Sequence, residues 1–331
     1  VTLREVRGQS AAVETLTRAL ETGRAHHAYR FEGPDGVGKE LAAMGFAQAL
    51  LCAGGDPLGC GRCSACERAV TLRDGIPAHP DLVVVERGLY SAEVLGRESR
   101  EGKEISVDQV RKIILAQASF SPHEGRARVF LVRRADELST SAANALLKTL
   151  EEPRPKTHFI LVTARPNRLL TTIRSRTMPV RFGPLPSAVV RDVLTRRGVA
   201  PDVMDEVVEL AGGSASAALE LSDESLTAAR RSFVESVLAS VRAPGLADGV
   251  LLGESSDKDR EVLRGQLEGL AAHFASRARK LAAAAPNRAA REARAYELTS
   301  QAMTHLEGNA STNLTIIELV DGLRGLRLAA P

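Results

Sequence analysis

The chain has 331 residues, 44% hydrophobic and 26% charged, which is more than one compact core usually holds, so a globular protein of two or three domains is expected. Its formal net charge of +3, from 44 basic and 41 acidic residues, excludes binding of nucleic acid through an overall basic field, and 3% aromatic residues with no Trp offer little for stacking single-stranded bases. There is neither an apolar run of about eighteen residues nor a basic-then-apolar leader, so a cytoplasmic protein with no membrane partner is expected.

In chain order, residues 1–183 alternate short apolar runs with helical spacing, the pattern of strands joined by crossover helices in a parallel α/β sheet. A helix over Gln9–Glu21 is followed by a strand at Ala28–Glu32. Next comes Gly33-Pro34-Asp35-Gly36-Val37-Gly38-Lys39-Glu40, a phosphate-binding loop with one discordant residue. Such a loop needs glycines that let backbone N–H groups curl round phosphates, a Lys to reach them, and a Ser or Thr hydroxyl for Mg²⁺. Gly33, Gly38 and Lys39 meet the requirement; Glu40 stands where the hydroxyl belongs and brings negative charge towards a triphosphate.

A helix over Lys39–Leu51 runs into the four cysteines of the chain, Cys52, Cys60, Cys63 and Cys66, with seven, two and two residues between them. Four thiolates suit a closed tetrahedral zinc site, and Gly54, Gly55, Gly59 and Gly61 let the backbone wrap an ion. Two disulfides, disfavoured in a reducing compartment, or four unrelated buried thiols are the alternatives. With four protein ligands the zinc would be structural.

Further on, strands are expected at Asp81–Glu86, Arg128–Val132, His158–Thr163 and Pro179–Phe182, and helices at Val107–Ala118 and Ser141–Glu152, the latter stopped by Pro153. Arg87–Lys103, rich in Gly and charge, reads as a flexible excursion. After Gly183-Pro184-Leu185-Pro186 the strand signals cease. Helical spacing then continues to the end, broken at Gly212-Gly213, Pro244-Gly245 and Pro286-Asn287. This gives an α/β domain over 1–183, a small helical domain over 184–225 and a larger one for packing and assembly over 226–331.

Several segments together resemble the clamp-loader branch of the AAA+ family, which serves bacterial DNA polymerase III. They are His26-His27-Ala28-Tyr29 ahead of the loop, the four-cysteine insertion after its helix, the block Ser141 to Pro153, and Thr172-Ile173-Arg174-Ser175-Arg176. The resemblance implies an AAA+ P-loop domain with a zinc module at 52–66, a helical lid and a helical collar. Active members carry Asp-Glu at the end of a strand where this chain has Arg133-Arg134, and a lid-helix Arg where it has Ala215, Ser216, Ala217 and Ala218. Asp136-Glu137 lies beyond that strand and reads as a loop or helix-entry pair. With Glu40, these departures imply weak or absent ATP binding and no intrinsic ATPase activity.

Ser175-Arg176-Thr177 stands where the family carries Ser-Arg-Cys, so Arg176 is the expected arginine finger, reaching a neighbouring subunit's ATP; Arg174 is its nearest competitor. The implied partners are tau/gamma motor subunits and a delta subunit in a five-membered ring, and through the ring the sliding clamp and primer-template DNA. An active ATPase motor is one alternative function. A zinc-dependent DNA-binding protein is another, opposed by the presence of only Arg62 and Arg68 as cations near the thiols.

Overall fold

The computed structural model describes residues 2–95, 104–124, 126–245, 247–256, 259–308 and 310–326. The chain divides into two compact units, Val1–Arg196 with Gly212–Ser216, and Arg197–Ala211 with Ala217–Pro331.

The first unit is built on a five-stranded sheet: β1 (Ala28–Glu32), β2 (Leu82–Val85), β3 (Arg128–Val132), β4 (Thr157–Thr163) and β5 (Met178–Arg181). Their spatial order is β2-β3-β4-β1-β5 and every pairing is parallel. Leu82–Val85 and Arg128–Val132 are buried at every position, as expected of parallel strands covered on both faces. Tyr29 and Phe31 project to one face and pack on Phe46, at ring-centroid distances of 5.1 and 6.3 Å. Phe130 and Phe159 stack at 5.0 Å within a second core that includes Ile113, Ile114, Leu146, Leu150 and Ile173.

The flanking helices of this unit are α1 (Ser10–Glu21), α2 (Lys39–Leu51), α3 (Ser64–Val70), α4 (Thr140–Glu151), α5 (Thr171–Arg174) and α6 (Ser187–Arg196). Ser139 caps α4 by accepting the Ala142 N–H at 3.2 Å, which satisfies one of the donors a helix start leaves open. The sequence-based strand bounds fall within one residue of those observed. The helix expected over Val107–Ala118 is continuous, but its centre, Val110–Leu115, is wound as a π-helix, a wider coil that apolar spacing does not reveal. A short hairpin pairing Leu72–Arg73 with Ile76–Pro77 follows the cysteines; two-residue strands are too short for a periodic signal. Of the excursion expected over Arg87–Lys103, Ala92–Leu95 is helical and 96–103 lie outside the described residues.

The second unit is helical: α7 (Pro201–Leu210), α8 (Ala215–Ser222, whose first two residues belong to the first unit), α9 (Glu224–Arg242), α10 (Ala247–Ser255), α11 (Arg260–Leu281), α12 (Pro286–Glu307) and α13 (Thr312–Gly325). Its core gathers Phe233, Val237, Leu267, Phe274, Ala302, Ile316 and Leu323. Pro286 opens α12 at the first-turn position where Pro costs no hydrogen bond.

Candidate functional site

The loop between β1 and α2 has the glycine conformations a phosphate cradle needs. Gly33 and Gly36 have φ of +152° and +72°. A Cβ on Gly33 would lie 2.1 Å from the Phe182 carbonyl oxygen, and one on Gly36 would lie 2.1 Å from Ser216 Oγ, so side chains are excluded at both places.

Most of the groups that would face a nucleotide have partners within the protein, although Arg133 Nε is buried without a hydrogen bond. Lys39 is buried, and its Nζ donates to the carbonyls of Gly33, at 2.6 Å, and of Pro34. Asp35 Oδ1 lies 3.7 Å from the same nitrogen. Burial pulls the Lys39 ammonium below its ordinary pKa, against the opposing pull of Asp35, Glu40 and Asp136. Arg133 stands at the end of β3, its Nε 3.8 Å from Glu40 Oε2 and its Nη1 3.2 Å from Glu86 Oε2. An arginine cation therefore sits among carboxylates where the sequence comparison placed a metal-holding acid. Asp136 accepts the Thr163 hydroxyl at 2.6 Å, and Glu137 pairs with Arg87 and Arg134 at 3.3 and 3.6 Å. The Gly36 carbonyl accepts the Ala215 N–H at 2.9 Å, and the Ser214 and Ser216 hydroxyls, 3.2 Å apart, crowd the same glycine.

Arg176 lies at the opposite end of the sheet. Tyr29 is paired with Met178 and Glu32 with Arg181, so Arg176 is level with the entry to β1 while the loop leaves its exit. Six residues of strand separate the two levels by roughly 20 Å. Arg176 lines an open cavity of about 630 Å³ with His26, His27, Glu151 and Thr177. Its guanidinium donates to Glu151 Oε1 at 2.7 Å and to the Thr172 carbonyl at 3.0 Å. Burial, and then the neighbouring His26, lower the His27 pKa, and Arg176 is the one Lys or Arg lining the cavity among the described residues. Arg174 is exposed.

The four cysteines converge. Cys52 ends α2, Cys63 precedes α3 and Cys66 lies within it. All four sulfurs fall within 4.8 Å of one another, with Cys52–Cys63 and Cys60–Cys66 at 4.0 and 3.9 Å. Sulfurs about 2.3 Å from a tetrahedral zinc stand about 3.8 Å apart, whereas a disulfide needs about 2.05 Å, so the geometry suits a metal ion and none of the cysteines is disulfide-bonded. The N–H groups of Gly54 and Cys60 point at Cys52 Sγ, both at 3.3 Å. Burial works to raise the Cys63 thiol, but backbone hydrogen bonds from Cys66 and Ala53 outweigh it and hold it at about 6. These four residues can hold a structural zinc.

Glu86, Glu151, Arg30 and Glu32 were missed by motif reading. A charged Arg30 inside the otherwise apolar run Ala28–Phe31 was the available signal, because such residues are buried only when paired.

This sheet order, with a glycine-rich loop after β1 and helices on both faces, defines a P-loop fold of the AAA+ kind. A profile of the family described as "DNA polymerase III, delta subunit" matches residues 8–186. DNA polymerase III subunit gamma/tau of Mycobacterium tuberculosis (strain ATCC 25618 / H37Rv) is 33% identical over 276 residues, covering 80% of this chain and 45% of that protein. DNA polymerase III subunit delta' of Pseudomonas aeruginosa is 36% identical over 221 residues, covering 65% of this chain and 62% of that protein. Each alignment thus spans less than two thirds of the relative's length. A gamma subunit-related protein of Thermotoga maritima shares the fold, with a TM-score of 0.53 at 17% identity over 94% of this chain and 98% of that one. The chain belongs to the delta-prime and gamma/tau clamp-loader family of DNA polymerase III.

Proposed function

We propose that the chain is the delta-prime subunit of a bacterial DNA polymerase III clamp loader, a stator that does not hydrolyse ATP itself. The observation that carries this reading is how the loop's cations are engaged: Lys39 on the Gly33 and Pro34 carbonyls, and Arg133 hydrogen-bonded to Glu86 and facing Glu40. A triphosphate with Mg²⁺ would have to displace these bonds while meeting the Glu40 carboxylate, and phosphoryl transfer depends on positioning and charge neutralisation. A structural zinc on Cys52, Cys60, Cys63 and Cys66 completes the first domain.

In this reading the fold divides into an α/β domain over 1–183, a lid over 184–225 and a collar over 226–331. The chain works in the cytoplasm in a ring with tau/gamma motor subunits and a delta subunit, which together place the sliding clamp on primer-template DNA within the polymerase holoenzyme. Arg176 lies about 20 Å along the sheet from its own phosphate loop, a position suited to a neighbour's nucleotide and not to its own. Its permanent charge and forked donors match developing charge on a γ-phosphate. As that phosphate arrives, it takes the place of Glu151 on the guanidinium.

A gamma/tau-type motor is the second reading, favoured by the larger share of this chain that gamma/tau aligns, 80% against 65% for delta'. Calorimetric titration of the purified chain with ATP and Mg²⁺, alongside a phosphate-release assay, separates the two. The stator reading expects negligible turnover; unaided hydrolysis at a motor's rate overturns it.

A further inference from the structure

We propose that Arg30 is a positioning residue for Arg176, holding the turn that presents the finger; this rests on the reading of Arg176 as a trans-acting finger. Arg30 lies in the middle of β1 and is 7% exposed. Alternation along the strand turns it away from the Tyr29 and Phe31 face. From there its guanidinium reaches the chain on both sides of Arg176: Nη1 donates to the Arg174 carbonyl at 3.0 Å and to Thr177 Oγ1 at 2.8 Å.

The Thr177 hydroxyl passes the interaction on, donating to the Ile173 carbonyl at 3.0 Å. The Ile173 carbonyl also accepts the Arg176 N–H at 3.1 Å, so the end of α5 holds Thr177 and the Arg176 backbone on one acceptor, while Arg30 supplies a partner to the Arg174 carbonyl. Behind Arg30, Nε donates to Glu32 Oε2 at 2.8 Å, and Arg181 holds the other carboxylate oxygen at 3.1 Å. Burial works to raise the Glu32 carboxyl, but hydrogen bonds from Arg30 and Arg181 outweigh it and hold it below its ordinary pKa.

A buried, charge-assisted fork from the sheet thus fixes residues 174 and 177, leaving Arg176 between two anchored neighbours. Phosphoryl transfer is sensitive to such placement, since about 1 Å of displacement costs on the order of a hundredfold in rate. Thr177 is part of the device: an oxygen there accepts from Arg30 and donates onward at once, which a weakly bonding thiol does poorly.

The experiment is ATP hydrolysis by a reconstituted ring of gamma/tau and delta subunits with the full chain, clamp and primed DNA, comparing Arg176→Ala, Arg30→Lys, Thr177→Val and the double variant Arg30→Lys/Arg176→Ala. Ring assembly and the circular dichroism of each variant chain are measured in parallel. Arg30→Lys keeps the charge but loses the fork, and Thr177→Val keeps the shape but loses the hydroxyl. The expected result is a fall in kcat of about tenfold or more for both, with KM for ATP and ring assembly unchanged. The double variant should be no slower than Arg176→Ala alone.

If Arg176→Ala slows the ring but Thr177→Val and every folded Arg30 variant do not, the positioning role falls while the finger stands. Additive losses in the double variant give Arg30 a separate job and also overturn it. An unchanged rate with Arg176→Ala removes the finger reading and this proposal with it. Should Arg30→Lys fail to fold, Thr177→Val decides alone.

Discussion

Asp81 accepts the N–H groups of His123 and Glu124 at 2.7 and 2.8 Å and two bonds from Arg128, at 2.8 and 3.3 Å. Arg128 heads the fully buried side chains by volume among the described residues and also donates to the Gln117 carbonyl at 2.7 Å. Pairing at both ends makes this ion pair tolerable in a core, and removing one member leaves the other charged and unsatisfied. Asp81→Ala is therefore expected to destabilise the folded chain by about 3–5 kcal/mol, measured by urea unfolding; a loss below about 1 kcal/mol would contradict the account. Burial alone would raise the Asp81 carboxyl, but the two N–H groups and Arg128 outweigh it and keep its pKa below the ordinary carboxylate range. None of this was visible in the sequence, where Asp81 looks like a strand edge and Arg128 one of many arginines. Arg176 stands out in the sequence only through its neighbours in the motif, since its residue type is commonplace here, and its proposed role rests on that motif.

Among the elements, the strands were readable because parallel, doubly covered strands are nearly pure apolar runs: Leu82–Val85 and Arg128–Val132 announce themselves. Side-chain networks that cross from one strand to another are not periodic, which is why Arg30 with Thr177, and Arg133 with Glu86, emerged only from the fold. The cysteine module is an element with little apolar core of its own, tied down by Arg4 on Asp56 and by Arg68 on Glu124, at 2.9 and 2.6 Å. The metal should therefore dominate its stability. Elemental analysis is expected to give one zinc per chain, and free zinc a thousandfold above Kd should stabilise the chain by about 4 kcal/mol over the chelated form. Identical thermal unfolding before and after chelation would argue against a structural ion.

Across the whole molecule, acid sensitivity below about pH 4 should follow the least exposed of the depressed carboxyls, Asp81 and Glu32, ahead of the more exposed Asp56 and Glu124. A carboxyl whose folded pKa lies below its unfolded value, about 4, contributes fully above that value and loses its contribution as pH falls through the folded one. The contribution of these carboxyls should thus be level from pH 7 to about 5 and be lost below about 4, while His27, His79, His158 and His273, whose pKa values burial lowers, should begin to reduce the unfolding temperature already below about pH 6.5. In Asp81→Asn the acid-dependent part of the drop should shrink, and a profile as steep as that of the unaltered chain would assign acid sensitivity elsewhere. The helical second unit was legible as a pattern of helices. Its role was not, because a core of Leu, Phe and Ile serves packing of any kind.

The phosphate loop and Arg176 lie at opposite ends of one sheet, with β1 running between them. Damage at one end therefore need not propagate to the other. If the chain is the proposed stator, such a build lets a protein surrender its own fuel chamber by piecemeal substitution and still trigger combustion next door, with no step at which the assembly stalls.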